Sequence, residues 1–236
     1  MTQNEIKQLR SLQIKKFRDE LGLFVAEGDK CISELAKSFT MIHHLTPENT
    51  SAKDIQRISS LQTPQGSIAV FRKPDYPLPV IKPDTLYLAL DGIQDPGNLG
   101  TIIRTADWFG IRDIICSPNT ADFFSPKVVQ ATMGALARVH VHYTDLPAYI
   151  STCNSQLPIY GTLLDGRNIY SSESIPDKRS GIIIMGNEGN GLSPEVRRLV
   201  THPLLIPSFP PEVPTSESLN VAIATAVILA EFRRKL

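Results

Sequence analysis

The candidate chemistry sits in three separated stretches of chain. The first runs Asp91-Gly92-Ile93-Gln94-Asp95-Pro96-Gly97-Asn98-Leu99-Gly100-Thr101 and leads to an arginine at position 104. Asn98 is suited to capping a helix, because its side-chain oxygen can accept from the free amides of a first turn. Leu99, Ile102, Ile103 and Ala106 recur at helical spacing on one apolar face, which puts Arg104 on another face near the helix start. Arg104 is either a surface charge on a capped helix or a planar fork of donors that grips a phosphate or hydroxyl.

The second stretch, Met185-Gly186-Asn187-Glu188-Gly189-Asn190-Gly191-Leu192-Ser193-Pro194, holds three glycines within six residues. That density lays backbone bare for a ligand or for tight turns, and Ser193-Pro194 then opens a helix by the cap-plus-proline rule. No Gly-Lys-Ser/Thr follows and G-x-G-x-x-G is absent, so a triphosphate loop and a Rossmann-type NAD enzyme are both disfavoured. The third stretch runs from Ile206-Pro207 through prolines 210, 211 and 214 to Ser218-Leu219-Asn220. Its prolines make it rigid. Ser218 can cap the following helix and Asn220 falls in its first turn, so both have a structural use beside any chemical one. His140 and His142 share a strand face, but no third ligand stands near them in sequence, so no metal site is expected. There is no G-x-S-x-G elbow and no Cys–His signature of a nucleophilic enzyme.

Elements that would position these loops are legible as apolar runs separated by helical patterns. Strands are expected at 86–90, 114–116, 159–164, 182–185 and 204–206, and helices at 99–109, 126–136, 146–153, 194–200 and 219–232. Short, wholly apolar strands alternating with helices imply an α/β fold around a parallel sheet covered on both faces. Ligands in such sheets bind beyond the carboxyl ends of the strands, where these loops fall. Prolines 74, 77, 79 and 83 make residues 73–84 a stiff connector. The expected organisation is therefore a small α/β domain over 1–72, the linker, and a larger domain over 85–236.

The chain has 236 residues, 42% of them apolar, with 24 basic and 24 acidic side chains. This balance excludes a disordered chain and a uniformly basic nucleic-acid binder, though not a local basic surface. One such surface is expected on a helix ending near Arg18: Lys7, Arg10, Lys15, Lys16 and Arg18 occur with no acid between Ile6 and Arg18. They form either a solvated helix face or a phosphate-facing arm. The first twenty residues lack an apolar core and no run is long enough to cross a membrane. Cys31, Cys116 and Cys153 are far apart and cannot all pair, which points to a reducing, cytoplasmic setting.

Together the three stretches resemble the SpoU (TrmH-like) branch of the SPOUT RNA methyltransferases. Asn98-Leu99-Gly100-Thr101-Ile102-Ile103-Arg104-Thr105-Ala106 is similar to the family's first motif, Gly186–Leu192 to its second, and Ile206-Pro207 with Ser218-Leu219-Asn220-Val221 to its third. Ser125-Pro126-Lys127 and Met133-Gly134-Ala135 fall where members carry a similar segment. Phe24–Gly28 and 65–70 look like the family's amino-terminal RNA substrate-binding domain. The resemblance implies a carboxy-terminal trefoil knot, a homodimer, and S-adenosyl-L-methionine as cofactor without a metal. It implies methylation of a ribose 2′-hydroxyl in structured RNA, ribosomal RNA before transfer RNA. A non-catalytic RNA-binding or ribosome-assembly factor on the same scaffold is the alternative. By the same resemblance Asn98, Arg104, Glu188, Ser218 and Asn220 are catalytic, with Arg104 also touching RNA. The cofactor falls to Thr162, Leu163, Leu164, Gly166, Met185, Gly186, Asn187, Gly189, Ile206, Pro207 and Leu219. The loop from Pro207 to Glu217 is longer than the family pattern and lacks its glycine.

Overall fold

The computed structural model describes residues 1–64, 66–153, 157–171, 173–176, 179–210, 213 and 216–234. Gln65 and, in the proline-rich loop, Pro211, Glu212, Pro214 and Thr215 lie outside the described residues. The elements run α1 (Gln3–Ser11), α2 (Lys15–Leu21), β1 (Leu23–Glu27), α3 (Asp29–Leu35), β2 (Met41–Leu45), α4 (Ala52–Ile58) and β3 (Ile68–Arg72). They continue with β4 (Leu86–Asp91), α5 (Pro96–Trp108), β5 (Asp113–Cys116), α6 (Pro126–Thr132), β6 (His140–Tyr143) and α7 (Leu146–Ser151). The last are β7 (Ile159–Asn168), β8 (Gly181–Gly186), α8 (Pro194–Arg197), β9 (His202–Leu205) and α9 (Val221–Arg233). No described helix is long and apolar enough to cross a membrane.

The chain forms two compact units. The first comprises Met1–Tyr76 together with Asp122–Arg138, and the second Pro77–Ala121 with Val139–Leu236. The segment Asp122–Arg138, expected in the larger domain, thus belongs with the amino-terminal one. Its side chains explain why. Phe124 joins Phe24 at 4.5 Å between ring centroids, in a cluster that also holds Phe39 and Phe71. These rings cover one face of the antiparallel sheet β1-β3-β2. On the other face Val25 and Val70 pack with Ile6, Leu9 and Leu12 and with Ile55 and Ile58 of α4. Alternating residues of one strand thus serve two cores.

The expected single basic helix is two helices. A capping box opens α1, with Thr2 accepting from the Glu5 amide and Glu5 from the Thr2 amide. Extended backbone at Ile14 (φ −100°, ψ 129°) separates it from α2. Arg18 turns inward and is 2% exposed. It donates through Nη2 and Nε to Asp122 Oδ2 at 2.6 and 3.2 Å and through Nη1 to the Leu12 carbonyl at 2.7 Å. Arg18 is therefore corrected from an RNA contact to a buried structural charge.

In the second unit the six-stranded sheet has the order β6-β5-β4-β8-β7-β9 with every pairing parallel. The central strands β4 and β8 are buried throughout. Tyr87, Ala89, Ile182 and Ile184 face Leu146, Ile150 and Val196 of α7 and α8. Helices α5 and α9 pack on each other, and Phe232 of α9 meets Tyr160 edge-on at 4.8 Å. Each such fully buried side chain contributes on the order of 1.5–3 kcal/mol. Strand order reverses between β4 and β8: successive strands step away from β4 on one side, and β8 lies on its other side. That is the topological switch point of an open α/β sheet.

Candidate active site

Strands β4 and β8 end level, with Asp91 opposite Gly186. The loops that follow carry the first two predicted clusters. The N-cap of α5 is Asp95, whose carboxylate accepts from the Asn98 amide at 2.8 Å, and Pro96 takes the first helical position. This corrects the capping role expected of Asn98. The Asn98 side chain is thereby left to bridge: its Nδ2 donates to Glu188 Oε1 at 3.0 Å, and its Oδ1 accepts from Asn220 Nδ2 at 2.9 Å. Glu188 also faces the Gln94 and Asp95 amides, each at 3.4 Å. One side chain from each of the three distant stretches is hydrogen-bonded into a chain.

The glycine loop is held from within. Asn187 and Gly191 exchange backbone hydrogen bonds of 2.9 and 3.0 Å. Asn187 Oδ1 accepts from the Gly189 and Asn190 amides, and its Nδ2 donates to the Gly92 carbonyl at 2.7 Å. A Cβ on Gly186 would lie 2.4 Å from the Gly191 carbonyl carbon, and Gly191 itself has φ +67°. The fold of this loop thus needs both glycines. Buried Asp91 accepts from the Ser193 amide at 2.7 Å and fixes where the loop ends.

At the third stretch Asn220, not Ser218, is the N-cap of α9, accepting from the Ala222 and Ile223 amides. This corrects the expected assignment, and α9 starts at Val221 instead of Leu219. Ser218 is exposed and makes no hydrogen bond with any described residue. Arg104 is likewise exposed on α5, with no hydrogen bond or ion pair to a described residue. Its charge is free for a ligand.

The residues expected to hold a cofactor fall inside β7, at the end of β8 and just past β9, and Thr162 within β7 is level with Leu204 of β9. Thr162 Oγ1 donates to the Ile184 carbonyl at 3.2 Å. Met185 is buried within β8, Leu163 packs on the core, and Ile206 and Pro207 are half-buried. Leu164 and Leu219 are 74% and 49% exposed. Gly166 has a packing reason instead, since a Cβ there would lie 2.5 Å from Leu204 backbone. Bare peptide groups beside exposed apolar side chains fit an adenosine, whose edge is polar and whose faces are not.

Of the basic arm, Lys7 and Arg10 are exposed and unpaired among the described residues. Lys15 pairs with Asp19 at 2.8 Å and Lys16 with Glu20 at 3.8 Å, acids that begin just past the basic run.

Sequence reasoning missed Asp113. It faces His142 Nε2 at 3.0 Å and His140 Nδ1 at 3.5 Å, at the other end of the sheet. Strand pairing, not sequence proximity, brings the three together.

A model described as the SpoU rRNA Methylase family matches residues 85–230, and one described as an MRM3-like substrate binding domain matches residues 3–54. The 23S rRNA (guanosine(2553)-2'-O)-methyltransferase RlmP of Bacillus subtilis (strain 168) is 29% identical, over 97% of this chain and 96% of its own. A TrmH-family protein from Porphyromonas gingivalis superposes with a TM-score of 0.87 at 41% identity, covering 100% of this chain and 99% of that one. The AdoMet-bound rRNA methyltransferase from Sinorhizobium meliloti gives 0.86 at 32% identity, covering 100% and 96%. With its three motifs meeting at the switch point of the sheet, the chain belongs to the SpoU rRNA methylase family.

Proposed function

We propose that this protein transfers a methyl group from S-adenosyl-L-methionine to a ribose 2′-hydroxyl of ribosomal RNA. The observation that carries the reading is the Asn220–Asn98–Glu188 hydrogen-bonded chain, in which Asn98 shares helix α5 with Arg104, unpaired among the described residues. S-adenosyl-L-methionine supplies an already electrophilic methyl, so the task left to the protein is alignment, worth about 7–11 kcal/mol in favourable cases. Thr162–Leu164, Met185–Asn187, Gly189, Ile206, Pro207 and Leu219 are the residues that would hold it. Arg104 grips RNA phosphate and steers the hydroxyl oxygen. A guanidinium keeps its proton, so the hydroxyl proton passes to a neighbouring phosphate that Arg104 orients. Asn98, Glu188 and Asn220 fix the loops around that oxygen, and Ser218 offers a further hydroxyl.

The same reading includes the trefoil knot, cytoplasmic action and a homodimer. The dimer is supported by Trp108 on α5 and Ile223 on α9, exposed by 85% and 54% on helices that pack together. The amino-terminal domain, expected over 1–72 before the linker 73–84 and joined in the structure by Asp122–Arg138, binds RNA with Lys7 and Arg10. The relatives named for ribosomal RNA favour that target over transfer RNA.

The test is methyl transfer from labelled S-adenosyl-L-methionine to ribosomal and to transfer RNA, followed by mapping of ribose methylation. The expected product is a 2′-O-methyl group in ribosomal RNA, with Arg104→Ala slower by about 10²–10³-fold. Labelling of transfer RNA alone would favour the other target, and cofactor-independent RNA binding without transfer would favour an assembly factor. Near-normal turnover by Arg104→Ala would remove that residue from the mechanism.

A further inference from the structure

At the amino end of the six-stranded sheet, Asp113 opens β5 and His140 opens β6, and the parallel register sets them opposite each other. His142 lies two residues further along β6, on the same face. The donor atoms of the three residues lie within 4.8 Å of one another. The separations of 3.0 Å from His142 Nε2 and 3.5 Å from His140 Nδ1 to Asp113 Oδ1 matter here. Ligands of a tetrahedral zinc ion, each at about 2.0–2.1 Å, stand about 3.3 Å apart, close to these two separations, with the two imidazoles within 4.8 Å of each other. The His142 side chain is 3% exposed, those of Asp113 and His140 23% and 42%. The cluster thus has one buried ligand, His142, and two partly exposed ones through which an ion and its water can reach it.

We propose that Asp113, His140 and His142 form a site for a divalent first-row transition metal, with zinc the best match to two imidazoles and a carboxylate. The site lies at the opposite end of the strands from Asn98 and Glu188, so its role is structural. It joins β5 to the edge strand β6, the strand on which the chain returns to the second unit after Asp122–Arg138.

The full-length chain, stripped with a chelator and dialysed, is titrated with Zn²⁺ by calorimetry and with Co²⁺ by visible absorption. The expected result is one ion per chain at micromolar affinity or tighter, with a rise in melting temperature. Binding should weaken by about tenfold or more in His140→Ala and in Asp113→Asn, since loss of one of three ligands removes a large part of the binding energy. His140 is exposed enough for its variant to fold, so the test does not hang on His142. Absence of saturable binding, equal binding by wild type and both variants, or a thiolate-to-cobalt charge-transfer band would each overturn the proposal, the last by assigning the ion to a cysteine.

Discussion

In the first unit the guanidinium of Arg18 is sealed in protein, with Asp122 and a backbone carbonyl occupying three of its nitrogens. In the second, Arg104 stands on the surface of α5 with no described partner. Both are arginines within helices, yet they do opposite work. A buried charge has its desolvation cost met within the fold and has little left to offer a ligand. An exposed, unpaired one keeps its full donor capacity until an anion arrives. Availability, not residue type, separates a binding arginine from a structural one.

Substitutions should pull the two apart. The largest expected effect is on stability: Arg18→Ala leaves the Asp122 carboxylate without its partner and should cost about 3–5 kcal/mol, read by urea denaturation. Pairing Arg18→Met with Asp122→Leu should recover most of that loss; if the double variant is as unstable as the single one, the charge pair is not what Arg18 contributes. Arg104→Ala should show the reverse pattern, with the rate falling as stated above while stability stays within about 0.5 kcal/mol. Asn220→Ala sits between them. Loss of the cap on α9 should cost about 1 kcal/mol, and loss of the Asn98 contact should slow methyl transfer, so melting temperature and rate fall together.

The smallest effect concerns the thiols. Burial pushes the Cys31 thiol up to about 11 and raises Cys116 and Cys153 as well. Because the thiolate is the reactive form, all three should alkylate slowly at mildly alkaline pH. Half-buried Cys153 should react first, then Cys31, and Cys116 only on unfolding, as peptide mapping would show. Faster labelling of Cys31 than of Cys153 would mean that the first unit opens readily.

The sheet of the second unit was legible because its strands are short apolar runs, and Leu86–Leu90 and Ile182–Met185 fall inside β4 and β8. β6 was harder, since His140-Val141-His142-Tyr143 is half polar. The three loops were legible as glycine, asparagine and proline clusters. Their caps were not, because Asp95 and Asn98, or Ser218 and Asn220, are equally good capping types. One signal was present: Pro96 favours the first helical position and so marks Asp95 as the cap. Arg18 looked free because Asp122, its partner, lies 104 residues away. The placement of Asp122–Arg138 rests on equally remote contacts, such as Cys31 Sγ to the Val129 carbonyl, which no local pattern announces.

That placement bears on how the protein is made. Until residue 138 has emerged during synthesis, the small sheet lacks Phe124 against its aromatic face and Asp122 against Arg18. Domains otherwise tend to fold in order of translation, amino-terminal first. Here the leading module must wait, incompletely packed, while β4, α5 and β5 are spun out behind it, and its maturation is tied to the birth of its neighbour.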